Sequence, residues 1–357
     1  MRIIDWYILK KFLSTFVFVV LIVTSVVVTI DVTERNDKFI EHALGLEGIL
    51  TYYLAYIPYI VNLTMPILIF IASVFITARM AGHTEIIAIL ASGISFRRMM
   101  RPYFVGAIII GLGSFYLNGW VIPDANKVRI DFQYKYFDNS NNKVERNLHF
   151  KVAPNSYAFI ETFNAPSQSG TRFTLETIEG TQLKEKLSAR RIEWDTTDNS
   201  WRLIGWQLRT IDGMLETVTE GREMDTTINL SPDDFSSLYG VQETLTNPEL
   251  NKYIEVLQER GDDGISIYTT EKYVRFMSPF ASIILTFLGL VVSAKKRRGG
   301  AGLQIAIGFA LAFLYVIFFM FAKAIAEANS MPPLLAIWIP NIFFGGVTVF
   351  MYFTLPR

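Results

Sequence analysis

Cysteine is absent from the 357 residues, so disulfides, thiolate metal sites, iron–sulfur clusters and a cysteine nucleophile are excluded. Histidine occurs three times, as His42, His83 and His149, too far apart for a metal-ligand pattern, and no cofactor is expected. Charge is scarce: 18% of residues are charged, against about 25% in ordinary soluble proteins. Lys plus Arg (33) equals Asp plus Glu (33), so no cationic excess exists to attract nucleic acid. The pattern G-x-x-x-x-G-K-[ST] is missing. Gly299-Gly300-Ala301-Gly302-Leu303 lacks the Lys and the Ser/Thr of a phosphate cradle, so any ATP must be handled by another chain.

What is plentiful is apolar sequence, 51% of the chain, in two blocks around a polar middle. A hydrocarbon core about 30 Å thick needs roughly 20 apolar residues in a helix. Six segments meet that need: Phe12 to Ile30, Tyr56 to Thr77, Tyr103 to Ile122, Met277 to Ala294, Leu303 to Ala322 and Leu334 to Leu355. The first exceeds a signal-peptide core and is followed by Asp31-Val32-Thr33-Glu34 with no small-residue cleavage site, so it reads as an uncleaved anchor. Cationic residues retain short loops in the cytoplasm. Arg2, Lys10, Lys11, Arg79, Arg97, Arg98, Arg101, Lys295, Lys296, Arg297, Arg298 and Arg357 fall on one side, and Arg35, Lys38 and Lys323 on the other. Both termini are therefore expected in the cytoplasm and the central insert outside.

That insert, from Pro123 to Arg275, holds 25 acidic and 18 basic residues. Runs of Thr, aromatic and aliphatic residues predict strands over Ser156 to Phe163, Thr171 to Ile178, Ala189 to Asp195, Trp201 to Ile211 and Met224 to Leu230. Asp198-Asn199-Ser200 and Asp212-Gly213 mark tight turns between them. After Asn247-Pro248, the residues Leu250, Ile254 and Leu257 share one helical face, and Gly261 and Gly264 end the run. The expected fold is a polytopic α-helical membrane protein with six transmembrane helices (3+3) and an inserted all-β, jelly-roll-like domain. Its parts are 1–122 (three spans, with a cytoplasmic helix near 82–95), 123–246 (β domain), 247–275 (helical connector) and 276–357 (three spans).

The cytoplasmic segment from Ala78 to Pro102 is too polar to span and too apolar for a tether. Glu85 to Ala91 has high helix propensity, and Gly93 and Ser95 end it before Arg97 and Arg98. It reads either as an interfacial loop helix or as a knob docking into another protein. Prolines 58 and 66 would kink the second span and free backbone carbonyls, either shaping a cavity or serving packing alone. Gly106, Gly111, Gly113, Gly345 and Gly346 permit close helix packing, and Lys323 with Glu327 forms an i,i+4 pair at a span end.

In order along the chain stand Ile4-Asp5-Trp6-Tyr7-Ile8-Leu9-Lys10-Lys11 before the first span, then Glu85, Ala91-Ser92-Gly93-Ile94-Ser95 and Pro102. Arg275 and Pro279 follow at the fourth span, and Ala336-Ile337-Trp338-Ile339-Pro340-Asn341-Ile342-Phe343 in the last. With the 3 + β + 3 layout, these resemble the permeases of the lipopolysaccharide-export ABC transporter (LptF/LptG type, also called YjgP/YjgQ). The resemblance implies a non-enzymatic permease in the bacterial inner membrane that extracts lipopolysaccharide from the periplasmic leaflet. Implied partners are a cytoplasmic ABC ATPase dimer, a second LptF/LptG-type permease, a single-span periplasmic adaptor (LptC type) and a periplasmic bridge protein (LptA type). It assigns the ATPase-coupling helix to Glu85, Ile86, Ala88, Ile89, Gly93 and Ser95. Arg35 and Lys38 become lipid head-group candidates, although both can equally pair with neighbouring acids. Phe173 and Phe313 become candidates for the lipid path, and a bulky charge at Phe173 is expected to block export. Two rivals stand beside this reading. A membrane enzyme would need a polar cluster at membrane depth, and the spans carry no central His, Asp or Glu. A mechanotransmitting or structural ABC-type subunit would move an external domain without passing lipid.

Overall fold

The computed structural model describes residues 3–137, 144–164, 167–196, 198–232, 240–260, 264–294 and 300–354. Arg2, Lys295, Lys296, Arg297, Arg298, Gly299, Leu355, Arg357 and Gly261, all used above, lie outside the described residues. Two compact units divide the chain. One comprises Met1–Tyr136, Gln242–Pro248 and Ser266–Arg357; the other comprises Phe137–Val241 and Glu249–Ile265.

Among the described residues, six helices of the first unit are long and apolar enough to cross a membrane. In hydrocarbon every backbone N–H and C=O must be satisfied within the segment, and a helix of apolar side chains does that. They are α1 (Ile3–Glu41), α2 (Leu46–Gly82), a third run built from α4 (Phe96–Tyr116) and α5 (Ile122–Tyr136), α7 (Ile265–Ser293), α8 (Gly300–Glu327) and α9 (Pro333–Phe353). The short α3 (Glu85–Ala91) follows α2, and α6 (Asn247–Arg260) precedes α7.

The helices outrun the apolar segments that announce them. With 39 residues α1 is about 58 Å long, roughly twice the hydrocarbon thickness. Apolarity marks where lipid is, whereas helicity continues wherever propensity and side-chain pairs support it. Asp31 with Arg35 and Asp124 with Lys127 are such pairs, bonded at 2.8 and 3.0 Å. Hence the expected boundary between Ile122 and Pro123 falls inside one continuous helical run. The expected 247–275 connector likewise resolves into α6 and the first turns of α7. A π-helical turn over Leu117–Val121 joins α4 to α5. It sits just before Pro123, which lacks an N–H and whose ring would clash with the carbonyl four residues back, at Gly119.

Small residues set the closest helix contacts. A Cβ on Gly289 of α7 would lie 2.9 Å from the Cβ of Ser73 on α2, and one on Gly111 would lie 2.9 Å from the Cα of Pro279. Ser73 also donates to the Thr286 carbonyl at 2.6 Å. Of the glycines expected to pack, Gly106 and Gly111 do so, while Gly113 and Gly346 face open space.

The second unit holds one six-stranded antiparallel sheet: β1 (Val144–Ala153), β2 (Ser156–Asn164), β3 (Ser169–Glu179), β4 (Gln182–Asp195), β5 (Ser200–Asp212) and β6 (Leu215–Thr226). The β insert between two sets of three spans is thus present. Its described strands lie in the sheet in chain order, an up-and-down meander, without the crossed order that a strict jelly roll has. The expected Asp212-Gly213 turn forms, with Gly213 at φ 63° and Asp212 opposite Leu215. Because that turn is so tight, β6 begins at Leu215 rather than at Met224. Its Glu216, Glu220, Arg222 and Glu223 give it no apolar alternation, and nearly the whole strand is solvent-exposed. One sheet face carries the core, with Ile160, Phe173 and Ala189 in register across β2, β3 and β4.

Candidate functional site

Three places in the helical unit gather polar chemistry, and the β unit supplies a fourth candidate on its own core face. The first is the knob after α2. Thr84 takes a left-handed conformation, φ 58°, which breaks α2 and redirects the chain into α3; Gly93, φ 84°, releases it toward α4. The Glu85 carboxylate accepts from Lys11 Nζ at 3.0 Å and from Tyr7 Oη at 3.1 Å, while Arg98 reaches Asp5 at 3.4 Å. The start of α1 therefore holds α3 and the first turn of α4 in place. Ile86 is only 3% exposed and packs inward with Met80, Ala81 and Met99, so it anchors the knob and cannot be part of its outer surface. Ile87 (53%) and Leu90 (39%) point outward, together with exposed Ala88, Gly93 and Ser95, and Ile89 is half-buried. The resemblance had singled out Ile86 and passed over Ile87 and Leu90.

The second place lies near the far end of α1. Asp31 is buried and accepts from Arg35 Nε at 2.8 Å and from Tyr53 Oη at 2.9 Å. The Arg35 guanidinium also sits 5.7 Å from the centre of the Tyr52 ring. Arg35 thus has an acid partner in Asp31, one helical turn earlier. The i,i+4 spacing of Asp31 and Arg35 was legible, but only if α1 was taken past Ile30.

The third place is legible in the sequence only in pieces, as Pro66 in the second span and the Lys323–Glu327 pair. Helices α2, α5, α7, α8 and α9 enclose a cavity of about 440 Å³. Pro66, Ile67, Val316, Phe319 and Met320 make its apolar part; Asn126, Glu243, Glu271, Arg275 and Lys323 gather at its polar part. Pro66, one of the two prolines for which a cavity-shaping kink stood beside a packing role, contributes directly to the wall. The polar groups are mutually paired. Arg129 bonds Glu243 at 3.1 Å and lies 3.8 Å from the centre of the Tyr59 ring; Arg275 bonds Glu271 at 2.8 Å; Lys323 approaches Glu327 at 3.6 Å. Burial first, and the neighbouring Glu271 carboxylate second, push the Glu243 carboxyl above its usual range. Arg275 and Arg129 also hold a strap of chain. Arg275 donates to the carbonyls of Leu245 (2.7 Å) and Gln242 (2.9 Å) and to Asn247 Oδ1 (3.2 Å), and Asn126 donates to the Glu243 carbonyl (3.0 Å). Among these, Glu271 with Arg275 was visible as an i,i+4 pair; Arg129 with Glu243, 114 residues apart, left no local signal.

The two lipid-path candidates part company. Phe313 is 64% exposed and does not line the cavity, whose wall on α8 begins at Tyr315 and Val316 and runs through Phe319 and Met320 to Lys323; Met320, seven residues on, shares the face of Phe313 but sits about two turns farther along the helix. Phe173 does face inward, but at 1% exposure it is packed among Ile160, Leu187 and Trp201 in a filled core. Replacing Phe173 with Asp is accordingly expected to cost at least about 3–5 kcal/mol, the scale of the lost aromatic alone, with the buried unpaired charge adding to it. Limited proteolysis of the full chain in detergent should show 144–226 becoming protease-sensitive while the spans stay protected. Wild-type resistance of that region would contradict the packed core.

A family model described as "Lipopolysaccharide export system permease LptF/LptG" matches residues 6–353. No curated protein matches the chain.

Proposed function

Because the chain belongs to the LptF/LptG family of lipopolysaccharide export permeases, a multi-pass inner-membrane family, we propose that it is one membrane half of an ATP-driven exporter. In this reading it extracts lipopolysaccharide from the periplasmic leaflet and passes it to a periplasmic bridge protein. The match along nearly the whole chain is the observation that carries the proposal. Both termini and α3 lie in the cytoplasm, and the sheet lies in the periplasm. The outward Ile87 and Leu90 dock on a cytoplasmic ATPase dimer, a second permease covers apolar faces of the spans, and a single-span adaptor joins them. Physical necessity supports the need for ATP, since each CH₂ of an acyl chain drawn from the bilayer into water costs about 0.8 kcal/mol. Among the described strands β1 and β6 stand at the two edges of the sheet, the positions that suit strand addition by neighbouring β domains. Lys38 and Arg35 serve the anionic head group, Arg35 by exchanging Asp31 for a phosphate.

The mechanotransmitting alternative draws support from one observation: the cations around the cavity are already paired with Glu243, Glu271 and Glu327. A photocrosslinking residue placed at Phe319 or at Phe313, in the complex purified with its ATPase, separates the two. Lipopolysaccharide adducts at either position that disappear on ATP turnover are the expected result. Complete absence of adducts at both positions, with turnover intact, would remove lipid passage and leave the mechanical role.

A further inference from the structure

The basic residues that open α4 were read from the sequence as equivalent loop anchors, yet they do different things. Arg98 turns to Asp5. Arg97 and Arg101, one helical turn apart, stand instead at the rim of a groove of about 440 Å³ between α4, α7 and α9. Its walls are apolar: Met100 and Phe104 from α4, Phe287 and Val291 from α7, Val349 from α9. Phe104 and Phe287 stack with centroids 6.0 Å apart. Tyr352 closes the rim by accepting from Arg97 Nε at 3.0 Å. Both rim arginines are exposed, Arg101 has no ion pair among the described residues, and no carboxylate lines the groove.

An apolar slot on the flank of a membrane helix bundle is filled by an acyl chain, and two uncompensated guanidiniums above it select the head group. A phosphate satisfies them, whereas the ammonium of a zwitterionic lipid would be brought against like charge. We propose that this groove is a binding site for an anionic glycerophospholipid, with its phosphate on Arg97 and Arg101 and one acyl chain against Phe104, Phe287 and Val349. The lipid comes from the leaflet on the α3 side; only the identification of that leaflet as the cytoplasmic one rests on the proposed orientation. The site is separate from the cavity near Lys323, which shares only α7 and α9 with it and uses other stretches of both.

The test counts lipids retained by the full chain, purified with its partners, by native mass spectrometry after incubation with phosphatidylglycerol or phosphatidylethanolamine. The double variant Arg97→Gln/Arg101→Gln should lose phosphatidylglycerol retention about tenfold or more and leave phosphatidylethanolamine unchanged. Val349→Trp, which keeps both arginines but fills the slot, should lose it as well. The control Lys10→Gln/Arg79→Gln removes two exposed cations elsewhere and should retain wild-type binding. Unchanged retention in the first double variant, equal loss in the control, or displacement by millimolar inorganic phosphate would each overturn the proposal. The readout uses neither lipopolysaccharide nor sidedness, so a failure of the exporter reading would leave it standing, and its own failure would leave that reading intact.

Discussion

Arg275→Ala is expected to destabilise the end of the helical unit that holds the 242–248 strap by about 3–5 kcal/mol, the scale for removing one partner of a buried ion pair. The side chain is 4% exposed and spends its donors on four acceptors: the Glu271 carboxylate, two backbone carbonyls and Asn247 Oδ1. Truncation leaves the Glu271 charge and the Leu245 and Gln242 carbonyls unpaired in a place water reaches poorly. Lysine should recover little, since a single ammonium cannot span four acceptors that the planar guanidinium fork serves at once. Thermal unfolding of the purified chain, with proteolysis across 240–248 as the local probe, checks this. A midpoint within about 1 kcal/mol of wild type would show that the strap is held by something else.

The contrast between Arg275 and Arg97 shows what a sequence can and cannot disclose about such a chain. The spans were legible because hydrocarbon imposes one rule on every residue it touches, and the apolar runs record it. Their ends were not, because Asp31 and Asp124 end the apolar record without ending the helix. The hairpin at Asp212-Gly213 was legible from two residues, since the turn needs a positive φ that Gly213 supplies. The edge strand β6 was not, having no buried face to write an alternation. Glu85 stood out through its place at the start of a short helix, but its partners Lys11 and Tyr7 lie 74 and 78 residues away and carry no mark of the pairing. Gly289 makes one of the tightest helix contacts and went unnoticed among Leu and Val, while Gly346, in a suggestive Gly-Gly pair, packs against nothing within 4 Å. Local chemistry survives in sequence; pairings made by packing distant helices do not.

The same distinction decides where the knob should be attacked. Glu85 is the residue that the family resemblance favours, yet its carboxylate is already shared between Lys11 and Tyr7 and is partly shielded. A half-solvated ion pair is worth at most about 1 kcal/mol, so a contact built on Glu85 alone would be weak. Ile87 and Leu90 are different: both expose apolar surface that gains nothing from water. Burying such side chains contributes about 1.5–3 kcal/mol each. The double variant Ile87→Asp/Leu90→Asp is therefore expected to weaken association with the ATPase dimer by at least about a hundredfold, 1.4 kcal/mol per decade, while the chain still inserts and melts normally. Ile86→Asp, the inward neighbour, should instead damage the bundle itself, because it places a charge among Met80 and Met99. Affinity capture of the ATPase by each purified variant, with thermal melts run in parallel, reads both effects. If the double variant captured the ATPase as wild type does, α3 would be an interfacial loop helix and the coupling contact would have to be sought elsewhere on that face.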